Sequence, residues 1–321
     1  MTLETILLVG HGSREKSGND EIMAFAKQWR ERQPAWPIEV CFIELSENTM
    51  SEGLRRAATG SQRVIVVPLI LNAAGHVKMD IPQAIDAARL KFPQVQFLYT
   101  PHLSVCEHLL SVVKRRLKTA MQALDMPDPT TTGVVLLGRG SSDRHANGEM
   151  AKMARWVMEE SEHELVDVAF TGITYPRLEK VVQRQSLLGM TQVAVLPYYL
   201  FNGTLMERIK RQVENLKIQY PTIRFTSTEY FGFEREIFEV LEQRVADVKR
   251  GAPQALMPCD GCKFREFAVE HGLGGHHHDD ALPHNHDHDH DHPHDHAHDH
   301  PPGHAHEHGH LHEPAQAGVP S

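Results

Sequence analysis

Residues 134–141 (VVLLGRGS) restate residues 6–13 (ILLVGHGS) at a displacement of 128, with Gly138 standing where Gly10 stands. The correspondence continues at nearly the same offset. Asn147 falls opposite Asn19, Phe170 opposite Phe42, and Val193–Pro197 (VAVLP) opposite Ile65–Pro68 with its flanks. Asn202-Gly203 matches Ala74-Gly75. A period of about one small domain indicates duplication of a whole domain rather than a solenoid of short repeats.

Within each copy, short apolar runs alternate with helical spacing. In the first, strands are expected at Ile6–Val9, Ile38–Leu45, Arg63–Leu71 and Val95–Thr100. Helices are expected over Asn19–Glu31, Met50–Ala58, from about Pro82 to Lys91, and over Val105–Ala123. Proline is tolerated in a first helical turn, which places Pro82 near a helix start. The second copy repeats the fourth strand at Phe225–Glu229 and the closing helix at Arg235–Lys249. Nearly continuous apolar strands alternating with helices imply βαβ units and parallel sheets covered on both faces. The expected fold is therefore α/β, two duplicated Rossmann-like lobes with a disordered tail. The expected boundaries are 1–124 for the catalytic lobe, 125–132 for a linker, 133–250 for the second lobe, 251–275 for a cysteine segment and 276–321 for the tail.

Composition removes several classes. A formal net charge of -9 with no basic block argues against a nucleic-acid binder. Four cysteines, two isolated (Cys41, Cys106) and two paired (Cys259, Cys262), form no disulfide framework, and a reducing cytoplasm is the expected compartment. The N-terminus lacks a basic n-region, and no stretch approaches the length of a membrane span. There is no GxxxxGK[ST] loop to support ATP-driven chemistry, no third glycine for a dinucleotide fingerprint, and no GxSxG elbow.

The two copies differ where chemistry would sit. Opposite His11 stands Arg139, opposite His76 stands Thr204, opposite Glu44 stands Gly172, and Glu47 falls near Tyr175. A structural role would be needed in both copies, so the histidines and carboxylates confined to the first are candidates for function. In a parallel sheet the carboxyl ends of neighbouring strands share one edge. That edge would gather His11, His76 and either Glu44 or Glu47. Two imidazoles and a carboxylate suit a divalent first-row metal with open positions, and they suit proton transfer. Arg14, Lys78, Arg139 and Arg208 are available to meet an anionic ligand.

GHGSR after the first strand, FIELSENT after the second, and a GH turn followed by DIP after the third resemble the class II chelatases. The resemblance is to the sirohydrochlorin cobaltochelatase family in its long bacterial form, and it covers roughly residues 1–250 with the cysteine pair and histidine tail. It implies an enzyme, a lyase that inserts Co2+ into sirohydrochlorin without ATP, a step in anaerobic cobalamin biosynthesis. It implies that His11 is proton acceptor and metal ligand, and His76 the second ligand. Glu47 with Leu71, Asn72, Ala73, Ala74 and Gly75 would line the tetrapyrrole site, and Glu44 would be an acid/base partner. Iron or nickel insertion is the alternative within the class, and a cobalt or nickel storage protein or metallochaperone the alternative outside it.

Met257-Pro258-Cys259-Asp260-Gly261-Cys262 could hold two sulfurs on one side of a turn. Two cysteines cannot fill a four-thiolate site, so a cluster would need ligands from elsewhere, such as a second chain in a homodimer. A redox dithiol or a zinc half-site fits the bare spacing as well. The resemblance implies an iron–sulfur cluster at Cys259 and Cys262. From His276 to His312 histidine alternates with Asp, Pro and Gly, a composition with too little apolar surface to fold but well suited to Co2+, Ni2+ or Zn2+.

Overall fold

The computed structural model describes residues 4–72 and 74–251, with the backbone alone for 75–77. The expected elements at Cys259, Cys262 and the histidine tract lie outside the described residues.

The first half runs β1 (Glu4–Gly10), α1 (Lys16–Arg32), β2 (Ile38–Phe42), α2 (Met50–Ala58), β3 (Arg63–Pro68), α3 (Gly75–Lys91), β4 (Gln96–Tyr99) and α4 (Glu107–Gln122). The second half repeats this order: β5 (Thr132–Gly138), α5 (Arg144–Glu159), β6 (Val166–Phe170), α6 (Leu178–Leu187), β7 (Gln192–Pro197), α7 (Thr204–Gln219), β8 (Arg224–Ser227) and α8 (Arg235–Lys249). Each half builds a four-stranded parallel sheet, ordered β2-β1-β3-β4 and β6-β5-β7-β8. This is the duplicated α/β architecture expected from the sequence. The strand order reverses direction between β1 and β3, and ligands of open parallel sheets bind outside the strand ends at such a switch point.

Alternation along the strands separates the layers, because successive side chains leave opposite faces. Ile6 and Leu8 of β1, with Val134 and Leu136 of β5, enter a central core shared by both halves. Leu7 and Val9 face the other way onto α2 and α3, and Val135 and Leu137 onto α6 and α7. The central core is filled by α1, α4, α5 and α8, with Phe25 and Phe238 stacked at 4.1 Å between centroids. Here the halves exchange parts. Helix α4 lies against β7 and β8 of the second sheet, while α8 lies against β3 of the first.

Among the element boundaries that depart from the sequence reading, three lie next to the candidate residues. Strand β2 stops at Phe42 rather than Leu45, because Ile43 and Glu44 donate to the carbonyls of Gly10 and His11 and Leu45 takes a positive φ of 56°. Strand β3 stops at Pro68. Helix α3 starts at Gly75, so Pro82 lies inside it and His76 stands in its first turn rather than in a loop. Among the described residues no helix is long and apolar enough to cross a membrane.

Candidate functional site

The turn after β1 is fixed by close approach. Gly12 has φ 96°, and a Cβ there would stand 1.8 Å from the carbonyl oxygen of Glu44. Only glycine permits both the left-handed backbone and that contact. Behind it, Ser13 N–H donates to Asn19 Oδ1 at 2.9 Å and Asn19 Nδ2 donates back to the Ser13 carbonyl at 2.9 Å. The second half repeats the device with Ser141 and Asn147, at 3.0 and 2.7 Å. Gly140 (φ 85°) is pressed against Gly172 as Gly12 is against Glu44. The GxGS turn is therefore scaffold in both halves, and its second residue is the variable one.

His11 is half-buried at this turn. Its Nδ1 lies 3.5 Å from Glu44 Oε1 and 3.4 Å from the Gly12 carbonyl oxygen. Both neighbours can only accept, which places the hydrogen of a neutral imidazole on Nδ1 and leaves the lone pair on Nε2. A carboxylate behind one ring nitrogen, with the other nitrogen open, is the arrangement of metal-binding histidines.

The other expected residues fall as follows. Glu47 is exposed two residues beyond Leu45. Leu71 is half-buried against the central core, and its carbonyl accepts from Ser104 N–H at 2.9 Å. Among the described residues the Oδ1 of Asn72 is buried without a hydrogen-bond partner. Ala73 lies outside the described residues; Ala74 and Gly75 cap and begin α3. The backbone of His76 stands one residue further on, at the end of the β3 connection, and its side chain is outside the described residues. Among the described residues no group of three or more His, Cys, Asp or Glu side chains is arranged to hold a metal.

The carboxyl edges of the two sheets meet at one seam. Lys78 on α3 reaches Asp143, the N-cap of α5, at 2.5 Å, and both side chains are largely buried. Burial opposes ionisation of Asp143, yet Lys78 and the His145 N–H hold its carboxyl below the usual range. Lys78 is thus engaged in the scaffold, while Arg14, Arg139 and Arg208 are exposed. Tyr199 bonds Thr171 at 2.9 Å; burial pushes its hydroxyl up to about 12, against the pull of Arg139 and Arg208 nearby. Two residues passed over in the sequence, Glu21 and Glu149, also bridge the seam. Asn202 N–H donates to Glu21 at 2.7 Å, and the Ser104 hydroxyl donates to Glu149 at 2.7 Å. Elsewhere, a surface concavity of about 550 Å³ lined by Gln33, Trp36, His108, Glu239 and Glu242 contains none of the candidate residues.

With this geometry in place, the resemblance extends to characterised proteins. The CbiX family profile matches residues 5–120 and again 133–248, one match per half. A sirohydrochlorin cobaltochelatase of Priestia megaterium is 37% identical over 272 residues, 84% of this chain and 87% of the relative. A sirohydrochlorin ferrochelatase of the same organism is 30% identical over 244 residues, 76% of this chain and 90% of the relative. The structure of SirB from Bacillus subtilis with Fe3+ superposes with a TM-score of 0.68 at 29% identity, covering 79% of this chain and 99% of SirB. SirB in complex with cobalt, from subspecies spizizenii, gives 0.65 at 28% identity over 79% of this chain and 98% of SirB. With both halves matched and the duplicated sheets in common, the chain belongs to the CbiX family of class II chelatases.

Proposed function

We propose that this protein inserts a divalent metal ion into sirohydrochlorin without ATP, and that the ion is Co2+. The observation that carries the reading is the position of the His11 imidazole at a topological switch point, with Nδ1 facing Glu44 and Gly12, which in a neutral ring directs the lone pair to Nε2. Metal insertion replaces two pyrrole N–H protons by one dication. Nε2 of His11 first holds the metal; once the ion passes to the pyrrole nitrogens, the same lone pair accepts a departing proton. Glu44 stabilises the resulting imidazolium, and each proton passes on to water. His76 serves as the second ligand at the end of the β3 connection. Glu47 and residues 71–75 line the macrocycle, with Asn72 Oδ1 as an acceptor for pyrrole N–H.

Cobalt is preferred over iron because similarity to the P. megaterium cobaltochelatase is higher and covers more of the chain than similarity to the ferrochelatase. Iron is the second reading, favoured by the SirB structure with Fe3+. An iron–sulfur cluster at Cys259 and Cys262, a dimer sharing it, metal on the histidine tail and a cytoplasmic location complete the reading and rest on sequence alone.

The test mixes purified protein with sirohydrochlorin and Co2+, Ni2+ or Fe2+ and follows the absorbance change of metallation. Cobalt should react fastest, and His11→Ala and His76→Ala should each fall toward the uncatalysed rate. No acceleration with any metal would end the chelatase reading. Wild-type rates in both variants would end the site assignment alone.

A further inference from the structure

The loop after β2 closes on itself. Phe42 N–H donates to the Asn48 carbonyl at 2.8 Å, while Ile43 and Glu44 donate to Gly10 and His11. At its tip Leu45 is held at φ 56°. The loop after β6 is built the same way: Phe170 N–H donates to the Pro176 carbonyl at 2.9 Å, Thr171 and Gly172 donate to Gly138 and Arg139, and Ile173 is held at φ 61°. A left-handed backbone is unusual for leucine and an outlier for a β-branched residue, costing on the order of 1–3 kcal/mol. Glycine or asparagine would sit there at lower cost.

Burial does not offset this strain, since Leu45 is 46% exposed and Ile173 58% exposed. The aliphatic character is kept in both halves although the neighbouring chemistry is not, His11 and Glu44 facing Arg139 and Gly172 across the duplication. Each residue directly follows the one whose N–H closes onto the His11 or Arg139 carbonyl. Tyr175, 74% exposed, extends the second loop outward, with the Arg177 guanidinium 4.7 Å from its ring centre.

We propose that Leu45 and Ile173 are positioning residues, apolar contacts from each half for the flat face of the bound macrocycle. This rests on the tetrapyrrole reading above. A macrocycle presents an extended apolar face inside a rim of carboxylates. Rigid exposed aliphatics can desolvate that face while basic groups meet the rim.

The test titrates sirohydrochlorin, without metal, into wild type, Leu45→Asn, Ile173→Asn and the conservative Leu45→Met and Ile173→Leu, with thermal melts run in parallel. Asparagine relieves the backbone and keeps the loop, so both Asn variants should melt at or above wild type. Each should bind about tenfold more weakly, as expected for losing the burial of one aliphatic side chain. The conservative variants should bind within about twofold of wild type, and the defect should lie in KM for the macrocycle rather than in kcat. If either asparagine variant binds like wild type while wild type binds and is metallated, the inference fails and the chelatase reading stands. If wild type does not bind sirohydrochlorin, both fall together.

Discussion

Glu21 and Glu149 occupy equivalent positions 128 residues apart, and each reaches out of its own half into the other. Glu21 on α1 accepts from Asn202 N–H and from the Tyr230 hydroxyl, both at 2.7 Å. Glu149 on α5 accepts from the Ser104 hydroxyl at 2.7 Å and from Val105 N–H at 3.0 Å. The Glu21 carboxylate keeps Tyr230 protonated, pushing its hydroxyl up to about 12.

Removing either strut leaves donors unpaired at the seam. Glu149→Ala and Glu21→Ala should each cost about 1–3 kcal/mol in urea denaturation at pH 7. Burial works against ionising Glu149, but its hydrogen bonds from Ser104 and Val105 win and hold its carboxyl below the reference value of 4.5. Its contribution is therefore complete above pH 4.5 and lost as pH falls through the lower folded value. Glu149→Gln should remove that part of the acid limb. A loss below about 0.5 kcal/mol in both alanine variants, the scale of an ordinary surface change, would show that these contacts do not tie the halves together.

The paired glycine turns separate scaffold from chemistry. At Gly12 an added methyl would overlap the Glu44 carbonyl at 1.8 Å, and at Gly140 the Gly172 carbonyl at 2.5 Å. Both alanine variants should lose stability by about 1–3 kcal/mol from the forced positive φ alone. Only Gly12→Ala displaces Glu44 from His11, and misplacement on the order of 1 Å can cost about a hundredfold in rate. Metal insertion measured per folded molecule should fall to that extent in Gly12→Ala and stay near wild type in Gly140→Ala. Equal losses in the two would mean that the first turn has no special role.

What the sequence disclosed followed from burial and repetition. Strands β1, β3, β5 and β7 are covered on both faces, so their apolar runs stand out, and duplication of GxGS exposed His11 against Arg139. Other features leave no local mark. An amphipathic helix does not say whose sheet it covers, so the exchange of α4 and α8 was invisible. Leucine and isoleucine carry no sign of a positive φ, so the apolar run of β2 extends in the sequence to Leu45 although the strand stops at Phe42. A first turn tolerates proline, so Pro82 reads as a helix start, yet α3 begins at Gly75. Glu21 and Glu149 look like solvent-facing charges on α1 and α5. Their coincidence in the repeat was the one available signal.

His102 should make the fold sensitive to mild acid. It is buried at 9% exposure, with Nδ1 unpartnered among the described residues. Burial pushes its imidazole down to about 4, opposed by Glu149 and reinforced by Arg244 and Lys78. The unfolded chain binds this proton near 6.5 and the folded one near 4, so the stability it supports is complete above pH 6.5 and is lost between 6.5 and 4. A shift of that size corresponds to roughly 3 kcal/mol. His163, also lowered by burial, acts in the same direction. Denaturation midpoints should drop steadily from pH 7 to pH 5, and His102→Gln should flatten the drop. An unchanged slope in His102→Gln would assign the acid sensitivity elsewhere.

The pairing of His11 with Glu44 predicts how substitution of the carboxylate divides. Glu44→Gln keeps an acceptor oxygen for Nδ1–H but removes the charge that supports a cation on the ring. Partners of this kind typically carry about 10–100-fold in metal affinity or activity. Glu44→Gln should therefore insert metal at the lower end of that loss, and Glu44→Ala, which also frees the ring to rotate, at the upper end. Neither should affect stability much, since both side chains are more than a third exposed. Gly172, the counterpart of Glu44, offers the control: Gly172→Glu should not restore activity to Glu44→Ala, because Arg139 rather than an imidazole stands above it. Cobalt titration followed by absorbance, with insertion rates on the same preparations, decides the matter. Wild-type values for Glu44→Ala in both assays would leave His11 acting without its carboxylate.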